Sequence, residues 1–296
     1  MLNKSSQVGG KIRSAIKPFG IGFLLIAALT STLAQETSVS DCDKLAAHPD
    51  DNNKIEGATG VNWDALDPEK ALPACKVAFE KSPGVQRLQF QYARALNKAR
   101  RYEDARGLYL QLAEDGYVQA QYNLALMYED GEWVEKNDEQ AVKWYRKAAE
   151  QGHEVAQNNL GWMYMFGRGV EQSDEEAVEW YRKAASKGYA RAQTNLGWMY
   201  EFGQGGLPQS YPEAAAWYQS VADQDYAVAQ FFLGRLHESG LGAHLNFVQA
   251  YKWYSLAAVQ GDEDAAEKLS TLSKLMTAQQ KAEAQKLVDE WTPKTE

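Results

Sequence analysis

The chain has 296 residues, 45% hydrophobic and 24% charged, with a formal net charge of −9 and two cysteines. That length and apolar content suffice for a sizeable buried core. The acidic balance argues against nucleic acid and anionic membrane surfaces as partners.

Residues 1–34 read as a secretory signal. Lys4, Lys11, Arg13 and Lys17 form a basic leader, and Phe19 to Leu29 is an apolar run too short to span a bilayer of ~30 Å. Thr32 and Ala34, flanking Leu33, give small residues at a cleavage point before Gln35. Removing the leader takes away four positive charges and no acids, leaving −13. The expected location is periplasmic or secreted, with no membrane insertion after cleavage; an uncleaved anchor is the alternative.

Residues 35–83 form an N-terminal segment, polar and poor in periodicity until Leu72. It holds both cysteines, Cys42 and Cys75. In an exported chain two cysteines read first as one disulfide, here closing a loop of about 34 residues and contributing roughly 3–4 kcal/mol in the chain-entropy model. A redox pair is the other reading, but there is no C-x-x-C and no basic cluster to stabilise a thiolate. A helix is expected over 74–81, stopped near Pro83-Gly84.

Beyond Val118 one unit is written four times. The Ala-Gln pairs at Ala120, Ala156, Ala192 and Ala229 and the Trp-Tyr pairs at Trp144, Trp180, Trp217 and Trp253 recur together. A fixed period of about 36 residues is the mark of a solenoid. Each unit reads as helix, Gly-punctuated turn, helix. Ser173 with Glu176 has capping-box form, as do Asn137 with Gln140, Ser210 with Glu213 and Asn246 with Gln249. Small residues (Ala125, Gly161, Gly197, Gly234) recur mid-helix. Since a mid-helix Gly costs up to about 1 kcal/mol against Ala, a partner helix is expected to cross there at close range. Gly116, Gly152, Gly188 and Gly261 end the second helices; Asp225 takes that place once.

The units are residues 118–153, 154–189, 190–226 and 227–262. Residues 84–117 read as a diverged first repeat, with Arg101 and Asp104 in the capping slots. Residues 263–296 read as a helical cap with a polar outer face. The phrase Ala-Gln-x-Asn-Leu-Gly-Trp-Met-Tyr-x-Phe-Gly-x-Gly, followed by Ala-Val-x-Trp-Tyr-Arg-Lys-Ala-Ala-x-x-Gly, resembles the Sel-one-like repeat, a relative of the tetratricopeptide repeat. The resemblance implies an all-α, right-handed α-solenoid and adaptor or regulatory roles through protein–protein interaction. Some exported relatives are linked to cell-wall or β-lactam hydrolysis. Those resemble a cysteine-rich form, which this chain does not match between Val118 and Asp262.

No catalytic constellation emerges. His48, His153, His237 and His244 show no ligand spacing, and no P-loop, G-x-S-x-G or H-E-x-x-H is present. Gly203-Gln-Gly-Gly206 follows no strand. No cofactor or metal is expected, and the chain reads as a non-enzyme. If the array winds as tetratricopeptide arrays do, first-helix residues line a concave face. One ladder is Phe90, Tyr122, Asn158, Thr194 and Phe231; the next is Arg94, Leu126, Trp162, Trp198 and Arg235; a third is Asn97, Glu129, Met165, Glu201 and Glu238. Aromatic and Arg side chains dominate interface energies, so Arg94, Tyr122, Leu126, Asn158, Trp162, Thr194, Trp198, Phe231 and Arg235 are the expected partner-binding set for another protein or peptide. Trp162 and Trp198 also suit core packing between repeats. The alternatives are an envelope hydrolase with a composite site around His237 or Glu201, and a purely structural spacer.

Overall fold

The computed structural model describes residues 40–49, 51, 60–132 and 134–294, so the expected signal lies outside the described residues. Among these, fourteen α-helices and no strand are found. They are α1 (Asp41–Ala46), α2 (Pro68–Lys81), α3 (Gln86–Lys98), α4 (Tyr102–Glu114), α5 (Val118–Asp130), α6 (Asp138–Glu150), α7 (Glu154–Phe166), α8 (Asp174–Ala185), α9 (Ala190–Phe202), α10 (Tyr211–Ala222), α11 (Ala227–Ser239), α12 (Phe247–Val259), α13 (Glu263–Leu275) and α14 (Ala278–Asp289). No helix among the described residues is long and apolar enough to cross a membrane. The chain divides into two compact units, one up to Ala95 and one from Leu96 onward.

In the second unit each helix from α4 to α12 packs on the next in sequence, and α14 folds back on α12. The close crossing expected at the small mid-helix residue exists, and its cause is one side chain. A Cβ added to Gly197 would lie 2.6 Å from Tyr218, one at Gly161 2.8 Å from Tyr181, and one at Gly234 2.8 Å from Tyr254. The Tyr of the Trp-Tyr pair thus packs directly on the preceding helix at its small residue and is fully buried. The Ala-Gln phrase has a role that periodicity alone does not give. Gln121, Gln157, Gln193 and Gln230 donate to the carbonyls of Ala113, Ala149, Ala185 and Ala222, at 3.0, 2.9, 3.3 and 3.3 Å. Each satisfies an orphan carbonyl at the end of the helix before it, tying one repeat to the next.

The helix starts correct the expectation in part. Asn137, Ser173 and Asn246 accept the amide three residues on, at 2.9, 3.2 and 3.0 Å. None of them shows the return bond, and Ser210 caps nothing. Pro212 in the first turn of α10 already fixes φ for the helix and removes one orphan donor. Full capping boxes form at Ser40 with Asp43 and at Thr277 with Gln280. Asp225 holds φ at 69°, as its Gly-slot position requires. In the cap, α14 ends at Asp289, and Trp291 beyond it packs edge-on against Trp253 at 6.4 Å.

In the first unit α2 starts six residues before the expected Ala74, because Asp67 accepts the Glu69 amide and Pro68 occupies the first helical position. The Cys42–Cys75 disulfide is present, its Cα atoms 4.5 Å apart. It joins α1 to α2 in a core with Ala46, Leu66, Ala71, Leu88 and Ala95. Asp43 is fully buried beside Arg87, which is 6% exposed. Arg87 Nε and Nη2 donate to its carboxylate at 3.2 and 3.4 Å, and Gln91 Nε2 donates at 2.9 Å. The Ser40 amide and hydroxyl add donations at 2.8 and 2.7 Å. Burial pushes the Asp43 carboxyl up, but the Ser40 amide, Gln91, the Ser40 hydroxyl and Arg87 together hold it below the ordinary 3.8. Arg94 is therefore not a free recognition residue. It is 2% exposed, and its Nη1 and Nη2 donate to the carbonyls of Ala46 and Val61 at 2.6 and 2.8 Å. Ala46 and Val61 thus occupy Arg94, and Phe90 is fully buried, so neither is within a partner's reach.

Two predictions follow from this packing. Gly197→Val lowers stability by about 1–3 kcal/mol through overpacking against Tyr218, whereas Gly107→Ala, with open space at its Cβ, gains up to about 1 kcal/mol. Urea midpoints of the two variants check the pair, and equal effects refute the close crossing. Because the Asp43 carboxyl is depressed, its contribution is fully present above 3.8 and is lost as pH falls through the lower folded value. Asp43→Ala leaves the buried Arg87 charge unpaired and costs about 3–5 kcal/mol. A denaturation series from pH 7 to pH 2 should show a shallower acid limb in this variant than in the parent.

Candidate functional site

The first-helix ladders place one hollow in the second unit, and the reason is side-chain size. Tyr122 stacks on His153 at 4.6 Å, and Phe231 packs on Phe232 and Tyr254 at 5.5 and 5.8 Å. Burial, then Tyr189 and Glu129, push the Tyr122 hydroxyl up to about 12, so it stays neutral. Between these aromatics the same slot holds Asn158 and Thr194, which are too small to fill it. A cavity of about 550 Å³ opens there. Its lining comes from the end of α5 (Glu129), from α7 (Asn158, Asn159, Trp162), from α9 (Arg191, Thr194, Asn195) and from the start of α11 (Tyr226, Ala227, Val228).

Asn158, Thr194, Asn195 and Glu129 are held in this hollow by hydrogen bonds within the chain. Asn195 Nδ2 donates to Asn158 Oδ1 at 3.0 Å, and Thr194 Oγ1 donates to the Ala190 carbonyl at 3.0 Å. Glu129 accepts from Tyr145 at 2.6 Å and from Arg168 at 3.2 Å. Arg168 also grips Asp138 at 2.9 and 2.7 Å, holding that carboxyl below its usual range, and its guanidinium lies 4.8 Å over Trp162. The Tyr–Glu pairing repeats: Tyr218 donates to Glu201 at 3.0 Å and Tyr254 to Glu238 at 2.7 Å. In the repeat where Met165 replaces the acid, Tyr181 meets its sulfur at 3.6 Å. Burial and the nearby carboxylates push the hydroxyls of Tyr145, Tyr218 and Tyr254 well above 10, so they remain donors.

Of the nine residues expected to bind a partner, Asn158, Trp162 and Thr194 line this cavity. Trp198 lies half-buried against Phe202 at 4.9 Å, as Trp162 does against Phe166. Leu126 is half-buried outside the lining. Arg235 is held by Glu201 at 2.5 Å and lies 5.0 Å over Phe232, so it joins the third and fourth repeats. The ladders omitted Asn159, Arg191, Asn195, Tyr226 and Val228. These stand one position after or three before the first ladder, or at the next helix start, and a wider stripe of α7 and α9 would have included most of them. His153 accepts the Ala156 amide at 3.2 Å as an N-cap. His237 is half-buried in its Tyr slot, and burial lowers its pKa.

Comparisons with known proteins agree with this register. The Sel1 repeat family matches residues 118–153, 155–189, 190–226 and 227–262. A protective antigen of uropathogenic Escherichia coli displaying an SLR fold is similar at 34% identity and TM-score 0.69, over 79% of this chain and 50% of that one. A Sel1 repeat protein from Oxalobacter formigenes is similar at 31% identity and TM-score 0.60, over 70% of this chain and 60% of that one. The chain thus spans about half to three fifths of the length of these two proteins. No curated protein matches the sequence. The four matched copies, their all-helical stacking and these two relatives make the chain a member of the Sel1 repeat family.

Proposed function

We propose that the chain is an exported, non-enzymatic scaffold that binds another protein in the bacterial envelope through the first-helix face of its repeats. Sel1 repeat proteins generally mediate protein–protein interaction. The observation that carries the reading is the cavity of about 550 Å³, opened where Asn158 and Thr194 interrupt a ladder of aromatics. It combines fixed amides with apolar walls, the mixture a peptide side chain needs. The basic leader with its short apolar run supports export, and the Cys42–Cys75 disulfide fits an oxidising compartment. A regulatory adaptor role follows naturally from such a face.

The hydrolase reading has weaker support. Glu201 is 4% exposed and accepts from both Tyr218 and Arg235, so its carboxylate is committed to joining helices. The spacer reading gives no reason for a hollow in an otherwise aromatic ladder.

The test is in-cell cross-linking from a photo-reactive residue at position 162. A defined envelope protein should be captured, and Asn158→Tyr or Thr194→Phe, which refill the ladder, should cut capture at least tenfold with far-UV circular dichroism unchanged. Undiminished capture by the filled variants rejects the cavity, and no adduct at all favours the spacer.

A further inference from the structure

The first unit contains a worked example of what the cavity is built to hold. Helices α3, α5, α7, α9 and α11 begin at Gln86, Val118, Glu154, Ala190 and Ala227. Counted from those starts, Arg87 and Arg191 share one slot, and Gln91 and Asn195 share another. No other described copy pairs a guanidinium with a side-chain amide there: the pairs are Gln119 with Asn123, Val155 with Asn159 and Val228 with Phe232. In the first copy the two slots grip a carboxylate supplied from outside the helix, that of Asp43. Arg87 donates to it at 3.2 and 3.4 Å, and Gln91 at 2.9 Å.

In the third copy the same two slots line an open cavity. Arg191 is exposed, and no hydrogen bond or ion pair among the described residues engages its guanidinium. Asn195 gives one bond, to Asn158, at 3.0 Å. The single acid of the lining, Glu129, is already bridged by Arg168 and Tyr145. Arg191 is therefore a guanidinium of the lining with no carboxylate bonded to it, on a chain whose net charge is −9. Beside it Tyr226 and Val228 are 48% and 55% exposed and give the cavity an apolar shelf.

We propose that this cavity takes the carboxylate of an Asp or Glu side chain on an extended segment of the partner protein, gripped by Arg191 and Asn195 as Arg87 and Gln91 grip Asp43. An aliphatic neighbour of that acid packs on Tyr226 and Val228. The proposal rests on the cavity reading above and specifies its ligand. The internal example is a side-chain carboxylate, so a chain terminus is not the intended occupant.

An array of N-acetylated, C-amidated octapeptides, each acid paired with its Asn or Gln counterpart and a second series carrying free C-termini, provides the probe. The full chain and its Arg191→Gln and Thr194→Phe variants are applied to it. Acid-containing capped peptides with an adjacent Leu, Ile or Val should bind about tenfold more tightly than their amide counterparts. Arg191→Gln should erase that preference while leaving its melting temperature and residual binding in place. Thr194→Phe should remove binding altogether. The proposal is overturned if acids carry no advantage, if the advantage survives Arg191→Gln, if only free C-termini bind, or if no peptide binds. Binding that Thr194→Phe abolishes but that ignores the acid removes this proposal and leaves the cavity reading standing. Binding indifferent to Thr194→Phe removes the cavity reading.

Discussion

One contact organises the second unit: the second-helix Tyr packed directly on the first helix at its Gly. The ring needs a residue without a side chain beneath it, which explains why the helix tolerates a Gly that costs up to about 1 kcal/mol in propensity. The hydroxyl then reaches the end of the same helix, where Glu129, Glu201 or Glu238 accepts it. That carboxylate is in turn bridged by a cation of the following segment, Arg168, Arg235 or Lys268. Packing inside a repeat and electrostatic linkage between repeats therefore share one residue. The Ala-Gln phrase supplies the other linkage, through a side-chain amide that closes the previous helix.

Given that frame, the surface is decided by what each repeat places in a slot the frame leaves unspecified. Aromatics at Tyr122 and Phe231 fill it, whereas Asn158 and Thr194 leave room. The cavity is thus a local omission in a regular pattern. It costs little stability because the buried polar atoms of Asn158 and Thr194 are already bonded to Asn195 and to the backbone.

The first unit follows a different logic. Its helix α3 carries the repeat's pattern, but Arg94 is taken up by the carbonyls of Ala46 and Val61, and Phe90 is fully buried. The buried Asp43–Arg87–Gln91 cluster makes that seating specific. A buried charge without its partner costs several kcal/mol, so displaced registers are penalised.

The sequence by itself determined the helical repeats, the cysteine pairing and the close crossing at Gly161, Gly197 and Gly234. All of these follow from periodicity, from composition or from the backbone freedom of one residue type. It also told that Asn158, Trp162 and Thr194 stand on a shared face. Only the tertiary structure decided that Arg94 is consumed by the carbonyls of Ala46 and Val61, that Arg235 is held by Glu201, and that Arg191 and Asn195 border a hollow. The physical reason is that a charged side chain's role is set by which groups lie within about 3 Å of it, and those partners come from segments 33 to 48 residues away. Periodicity gives the face on which a side chain stands, and only packing gives what already occupies it.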